Sequence, residues 1–298
     1  MKLLVTGAWK CTDEQLNSIK ALGHEITFMQ NEKDACPIPY ESVEGVICNG
    51  LFLNHPIEGF SSLKYIQLTS AGFDRVDMKY VASRSITIHN ARGVYSIPMA
   101  EYALWGALQF AKRGRSFTDN QKNHKWIKIR DSFEIYGKSV CIIGCGNVGT
   151  ECAKRFSAMG CSVSGVDIVP FESEYYTSIS PLCELETSVK KADFVVLTLP
   201  LTDESKHLIN EDILNAMKSE AVLINISRGA VVNTAHLTDA LMNKIIGGAV
   251  LDVFEEEPLS EDSPLWNMEN VIVTPHNSFV GDGNGDRLYK VIMENLAK

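Results

Sequence analysis

At 298 residues the chain is long enough for two domains, each able to bury its own core. Hydrophobic residues at 45% and charged residues at 22% describe a soluble globular protein, and no apolar run reaches membrane-spanning length. A formal net charge of -9 without a dense basic patch excludes nucleic acid and anionic membrane as partners. An anionic small molecule would then be held by locally placed arginines and backbone amides.

The N-terminal stretch Met1 to Gly7 is too short in apolar residues for a signal peptide, which predicts a cytoplasmic protein. Short apolar runs then read as strands: Leu3–Val5, Ile26–Met29, Val46–Cys48, Tyr65–Leu68 and Ile86–His89. Alternating with helix-like segments, they predict an open α/β sheet. From Pro98 to Lys112 a helix is expected, with Pro in the first turn and Ala103, Ala107 and Ala111 forming a close-packing stripe that leads the chain out of the first domain.

More continuously apolar runs follow at Val140–Ile143, Val163–Val166, Phe194–Leu199, Val222–Ile226, Ala249–Val253 and Val271–Val273. These suit strands covered on both faces, as in a doubly wound parallel sheet. A last helix is expected from about Asp286 to Ala297, after Gly281, Gly283 and Gly285; the pattern does not say which domain it joins. The eight cysteines, among them Cys141, Cys145, Cys152 and Cys161, form no Cys-x-x-Cys pair. They are expected to be reduced core residues, and no metal site is predicted.

The strand Val140–Ile143 runs into Gly144-Cys145-Gly146-Asn147-Val148-Gly149 and then a helical stretch. In that context Gly144 permits a tight turn, Gly146 admits a pyrophosphate to the backbone, and Gly149 lets helix and strand pack closely, with the helix N-terminus facing the phosphates. Asp167 ends the next strand, where a carboxylate accepts hydrogen bonds from ribose hydroxyls and repels a 2′-phosphate. No Arg follows it in Ile168-Val169-Pro170, so NAD is expected over NADP. Pro200 and Thr202 fall at the carboxyl edge of a further strand, where ligands bind in such sheets.

Three later strand ends each present a functional side chain: Arg228, Glu257 and His276. Singly, each has an ordinary explanation as a surface or loop residue. Together they supply a cation that forks onto a carboxylate, an acid/base, and a carboxylate to orient it.

With these motifs the sequence resembles the D-isomer-specific 2-hydroxyacid dehydrogenases, of the phosphoglycerate or glycerate dehydrogenase kind, over nearly the whole chain. The resemblance is carried by Ser70-Ala71-Gly72-Phe73-Asp74, the segment Gly93 to Glu101, the Gly144–Gly149 loop with Asp167, Ser227-Arg228-Gly229, Leu251-Asp252-Val253 with Glu257-Pro258, and Thr274-Pro275-His276. It implies that Arg228 binds the substrate, His276 is the acid/base, Glu257 hydrogen-bonds His276, Asp252 contacts the nicotinamide carboxamide, and backbone groups of Ala71 and Gly72 hold the substrate carboxylate. It also implies a flavodoxin-like substrate domain (1–97 plus 277–298), a Rossmann NAD-binding domain (98–276), and a homodimer acting on a small D-2-hydroxy or 2-keto acid. The alternative is an NAD(H)-sensing scaffold or corepressor-like protein, since the family includes corepressors. Arg75, Arg92, Tyr95 and Phe279 are candidates for the substrate side-chain pocket, and the acid itself is left open.

Overall fold

The computed structural model describes residues 1–297; Lys298, the last residue of the expected substrate domain, lies outside them. Two compact units divide the chain: Met1–Tyr95 with the stretch from Gly281 onward, and Ser96–Val280.

In the first unit, β1 (Lys2–Thr6), α1 (Asp13–Ala21), β2 (Glu25–Met29), β3 (Gly45–Cys48), β4 (Tyr65–Leu68), α2 (Met78–Ser83) and β5 (Thr87–His89) follow in order. The strands form one parallel sheet in the order β2-β1-β3-β4-β5, which is the flavodoxin arrangement. Strand alternation sorts the core onto two faces. Leu4, Val46 and Ile66 pack with Phe60 on one side, and Leu3, Val5 and Ile47 with Trp9 and Ile19 on the other.

The second unit opens with α3 (Ser96–Ala111), followed by α4 (Gly114–Lys122), β6 (Ser139–Ile143), α5 (Asn147–Ala158), β7 (Ser162–Asp167), β8 (Ser178–Pro181), α6 (Leu185–Val189) and β9 (Phe194–Leu197). It continues through α7 (Glu211–Ala216), β10 (Val222–Asn225), α8 (Thr234–Met242), β11 (Gly248–Leu251) and β12 (Val271–Val273). All seven strands are parallel, in the order β12-β11-β10-β9-β6-β7-β8. The order reverses direction between β6 and β9, and ligands of such sheets bind at that switch point, outside the carboxyl ends of the strands.

The stripe on α3 performs as its spacing predicts: Ala103, Ala107 and Ala111 are wholly buried, and a Cβ on Gly106 would lie 2.9 Å from Val250 on β11. The last helix, α9 (Asn284–Leu296), belongs to the first unit, where Leu288 and Ile292 pack with Leu3 and Val5. The predicted strands are present with ends displaced by a residue or two. β8 is absent from the sequence reading because it is an edge strand with one apolar residue, Ile179, and ends on Pro181, which cannot donate to a ladder. Among the described residues no helix is long and apolar enough to cross a membrane.

The unit borders fall at Tyr95/Ser96 and Val280/Gly281, a few residues from the expected 97/98 and 276/277. The segment after His276 stays with the second unit because Asn277 and Ser278 both donate their backbone N–H to the Asp252 carboxylate.

Candidate active site

The glycine loop between β6 and α5 has the geometry that its sequence requires. Gly144 sits at φ +91, where a Cβ would also strike the Leu199 backbone at 2.7 Å, and a Cβ on Gly149 would lie 2.2 Å from the Gly144 carbonyl oxygen. At Gly146 nothing among the described residues lies within 4 Å of that position. Open space there, at the N-cap of α5, is where a diphosphate would approach the backbone amides of Asn147 and Val148.

Asp167 closes the loop from behind. Its Oδ2 accepts the Cys145 N–H at 2.7 Å and its Oδ1 the Val169 N–H at 3.2 Å. A carboxylate offers about four lone-pair sites, so these bonds leave acceptors for ribose hydroxyls. Pro200 and Thr202 shape the loop after β9: the Ser205 hydroxyl donates to the Pro200 carbonyl at 2.8 Å, and Thr202 N–H donates to that hydroxyl at 2.7 Å. The open Gly146 position, the free lone pairs of Asp167 and the orientation of α5 together fit a dinucleotide.

Arg228, Asp252, Glu257 and His276 all lie beyond the carboxyl ends of β10, β11 and β12. Arg228 is extended, at φ -140, and partly buried. Its turn is fixed by Asn225, whose amide nitrogen donates to the Arg228 carbonyl at 3.1 Å while its oxygen accepts the Ser227 N–H at 3.0 Å. Its guanidinium Nη1 donates to the Ser227 carbonyl at 2.8 Å, and a guanidinium is a group able to fork onto a carboxylate.

His276 and Glu257 meet: Nδ1 lies 2.8 Å from Oε2, with about 40% of each side chain open to solvent. The other Glu257 oxygen accepts the Phe254 N–H at 3.0 Å, so the carboxylate closes its own turn while facing the ring. Phe279 stands edge-on to the imidazole, with centroids 6.0 Å apart. With Nδ1–H directed at the carboxylate, Nε2 is the ring atom available for proton exchange.

Asp252 is fully buried. Its carboxylate accepts from Thr274 Oγ1 at 2.8 Å, Asn277 N–H at 2.7 Å and Ser278 N–H at 2.8 Å, thereby holding the segment that carries His276. Tyr102 on α3 donates in turn to Thr274 Oγ1. Burial pushes the Tyr102 hydroxyl up to about 12, with the Asp252 charge adding to the rise, so it stays a donor at working pH. Neither Tyr102 nor Thr274 stands out in sequence, because the pair is 172 positions apart and joined only by the fold.

In the first unit, the Ser70–Gly72 loop follows β4. The Asn90 amide donates to the Ala71 carbonyl at 2.6 Å, the Ser70 hydroxyl to the Gly72 carbonyl at 3.1 Å, and the Tyr95 hydroxyl to the Thr69 carbonyl. Tyr95 is thereby a brace for this loop. Arg75 and Arg92 are exposed.

Comparison with known proteins agrees with this architecture. The family model described as "D-isomer specific 2-hydroxyacid dehydrogenase, NAD binding domain" matches residues 104–278. A glyoxylate reductase of Korarchaeum cryptofilum is 32% identical over 247 residues, covering 80% of this chain and 74% of that protein. The crystal structure of a D-isomer specific 2-hydroxyacid dehydrogenase family protein from Aeromonas salmonicida superposes with a TM-score of 0.84 at 28% identity, over 98% of this chain and 93% of that one. A D-isomer specific 2-hydroxyacid dehydrogenase from Xanthobacter autotrophicus, solved with NADPH and MES, gives a TM-score of 0.79 at 27% identity, over 99% of this chain and 93% of that one. The chain belongs to the D-isomer specific 2-hydroxyacid dehydrogenase family and is an oxidoreductase that uses an NAD-type cofactor.

Proposed function

We propose that the protein interconverts a small 2-keto acid and its D-2-hydroxy acid with NAD(H), using His276 as acid/base, Glu257 to orient it, and Arg228 to bind the substrate. The observation that carries this reading is the 2.8 Å contact between His276 Nδ1 and Glu257 Oε2. When bound, the cofactor supplies or accepts the hydride at its nicotinamide ring. In reduction, His276 Nε2 donates a proton to the developing alkoxide; in oxidation it removes the hydroxyl proton. The Glu257 carboxylate stabilises the imidazolium from which reduction starts and which oxidation produces. Arg228 forks onto the substrate carboxylate and polarises the neighbouring carbonyl. The backbone groups of Ala71 and Gly72 are assigned to the substrate carboxylate on the family resemblance.

Gly144, Gly146, Asn147, Val148 and Gly149 would hold the diphosphate, Asp167 the adenosine ribose, and Pro200 and Thr202 the border of the dinucleotide. Asp252, whose carboxylate already receives three donors, is assigned to the nicotinamide carboxamide on the family resemblance. The Asp167 charge favours NAD over a 2′-phosphorylated cofactor. We assign Met1–Tyr95 with the stretch from Gly281 onward to the substrate domain and Ser96–Val280 to the NAD-binding domain.

A homodimer is the assembly that best accounts for Trp126, which is 97% exposed, and for the exposed Phe117, Ile127 and Tyr136 around it in sequence. The reduced cysteines accord with a cytoplasmic location.

The deciding experiment is a keto-acid panel assayed by nicotinamide absorbance with NADH and NADPH. Glyoxylate comes first, since the Korarchaeum cryptofilum relative carries that name. Turnover of at least one acid with NADH supports the reading; binding of NADH without turnover of any acid would overturn it.

A further inference from the structure

The acidic run Glu255-Glu256-Glu257 is chemically uniform in sequence and divided in the structure. Glu257 faces His276, whereas Glu255 points to two other segments. Its Oε1 lies 2.5 Å from His207 Nε2, and its Oε2 accepts the Thr234 N–H at 2.8 Å, at the first residue of α8. Burial pushes the Glu255 carboxyl up, but the Thr234 hydroxyl and amide and the His207 ring outweigh it and hold the group below the ordinary glutamate range.

His207 makes a second attachment, through its backbone. Its N–H donates to the Ala230 carbonyl at 2.8 Å, two residues beyond Arg228. Both attachments are made with His207 in the left-handed region, at φ 54, which a non-glycine residue adopts only when its surroundings require it. The two segments so joined also touch directly. A Cβ on Gly229 would lie 1.8 Å from the Phe254 carbonyl carbon and 2.4 Å from the Glu255 nitrogen, so the Phe254–Glu255 peptide rests on the backbone beside Arg228.

We propose that Glu255 and His207 are a positioning pair that holds the Glu257 turn against the Arg228 turn, and so sets the relative placement of the acid/base couple and the substrate-binding arginine. The inference rests on the assignment of Arg228, Glu257 and His276 above. Glu255 touches none of the reacting atoms; it acts through the peptide that leads to Glu257. A carboxylate shared between a helix N-terminus and an imidazole is well suited to this, because both partners favour its charged form and fix both oxygens.

The test compares Glu255→Ala, Glu255→Gln and His207→Asn with Glu257→Gln, using NADH and the keto acid turned over fastest by the parent enzyme. Asn accepts the left-handed backbone and lacks the imidazole reach, so His207→Asn separates the ring contact from the backbone one. The expected result is a fall in kcat of roughly tenfold or more for Glu255→Ala and His207→Asn, a rise in KM for the keto acid, and unchanged NADH affinity. In both, the loss is confined to kcat and to KM for the keto acid. Glu255→Gln, which keeps an acceptor for Thr234, recovers most of the rate. Parental kinetics in Glu255→Ala, or a lower rate that follows a lower Tm with unchanged KM for the keto acid and no recovery by Gln, would overturn the proposal. If Glu257→Gln itself leaves kcat at the parental value, the assignment of the couple is at fault rather than the pair behind it.

Discussion

The Asp252 carbonyl accepts the His276 backbone N–H at 2.7 Å, and the Asp252 carboxylate accepts the next two amides, so one buried residue governs the course of the main chain from His276 to Ser278. His276 itself stands at φ 50, a conformation held by these bonds. Asp252→Asn places an NH2 group where one of three donors is received. Stranding a buried donor costs about 1–3 kcal/mol, and the 274–278 segment should loosen. We expect a lower Tm together with reduced kcat in keto-acid reduction. A variant with parental Tm and kcat would show that the segment holds its course without the carboxylate.

The His276–Glu257 contact predicts two separable outcomes. His276→Ala removes the proton donor, and general acid–base catalysis contributes typically about 10²–10⁴-fold, so turnover should fall by that order while NADH binding, followed by fluorescence titration, stays near the parental value. Glu257→Gln keeps the shape and one acceptor but removes the charge that stabilises the imidazolium. Reduction requires the protonated ring, so kcat for reduction should fall by about tenfold or more while NADH affinity stays parental. An equal loss of turnover and cofactor affinity in His276→Ala would assign the histidine to structure instead.

How much of this was legible beforehand depends on whether a feature is local. The strand and glycine pattern around Gly144 is short-range, and Gly144 and Gly149 occupy the positions that forbid a side chain. Apolar runs that are covered on both faces, such as Val222-Leu223-Ile224, announce themselves in the same way. β8 does not, because an edge strand needs few apolar residues. The roles of Tyr102, Thr274, His207 and Asn225 are invisible in sequence for another reason: each depends on hydrogen bonds, several of them formed across long chain separations, with residue types that occur everywhere. The acid run shows the limit most clearly, since Glu255 and Glu257 differ by two positions and face different histidines.

Asp167 braces the glycine loop and carries the charge that would oppose a 2′-phosphate. Asp167→Asn retains an acceptor for the Cys145 N–H but loses that repulsion. The ratio of kcat/KM for NADH over NADPH should drop by about tenfold or more, since each tenfold corresponds to about 1.4 kcal/mol. Steady-state kinetics with the two cofactors measures it directly. An unchanged ratio would place cofactor discrimination elsewhere in the loop.

At the amino ends of the central strands of the same sheet, Asp193 joins β6, β9 and β10 and should govern part of the acid stability. Its Oδ2 accepts the Ser139 N–H at 2.8 Å at the start of β6, its Oδ1 receives Lys218 Nζ at 2.8 Å, and its carbonyl accepts the Val222 N–H at 3.0 Å at the start of β10. Burial pushes the carboxyl up, but the Lys218 and Ser139 hydrogen bonds more than offset it and leave the group below the ordinary aspartate range. A carboxyl whose folded value is depressed stabilises the fold above the unfolded value, near pH 4, and loses that contribution as pH falls through the lower folded value. With the side chain 27% exposed, the charge is partly screened, and a contribution of about 1 kcal/mol is expected. Asp193→Asn should therefore lower Tm at pH 7, and the difference from the parent should shrink below about pH 4. A difference that stays constant down to pH 3 would mean that shape, not charge, is what Asp193 supplies.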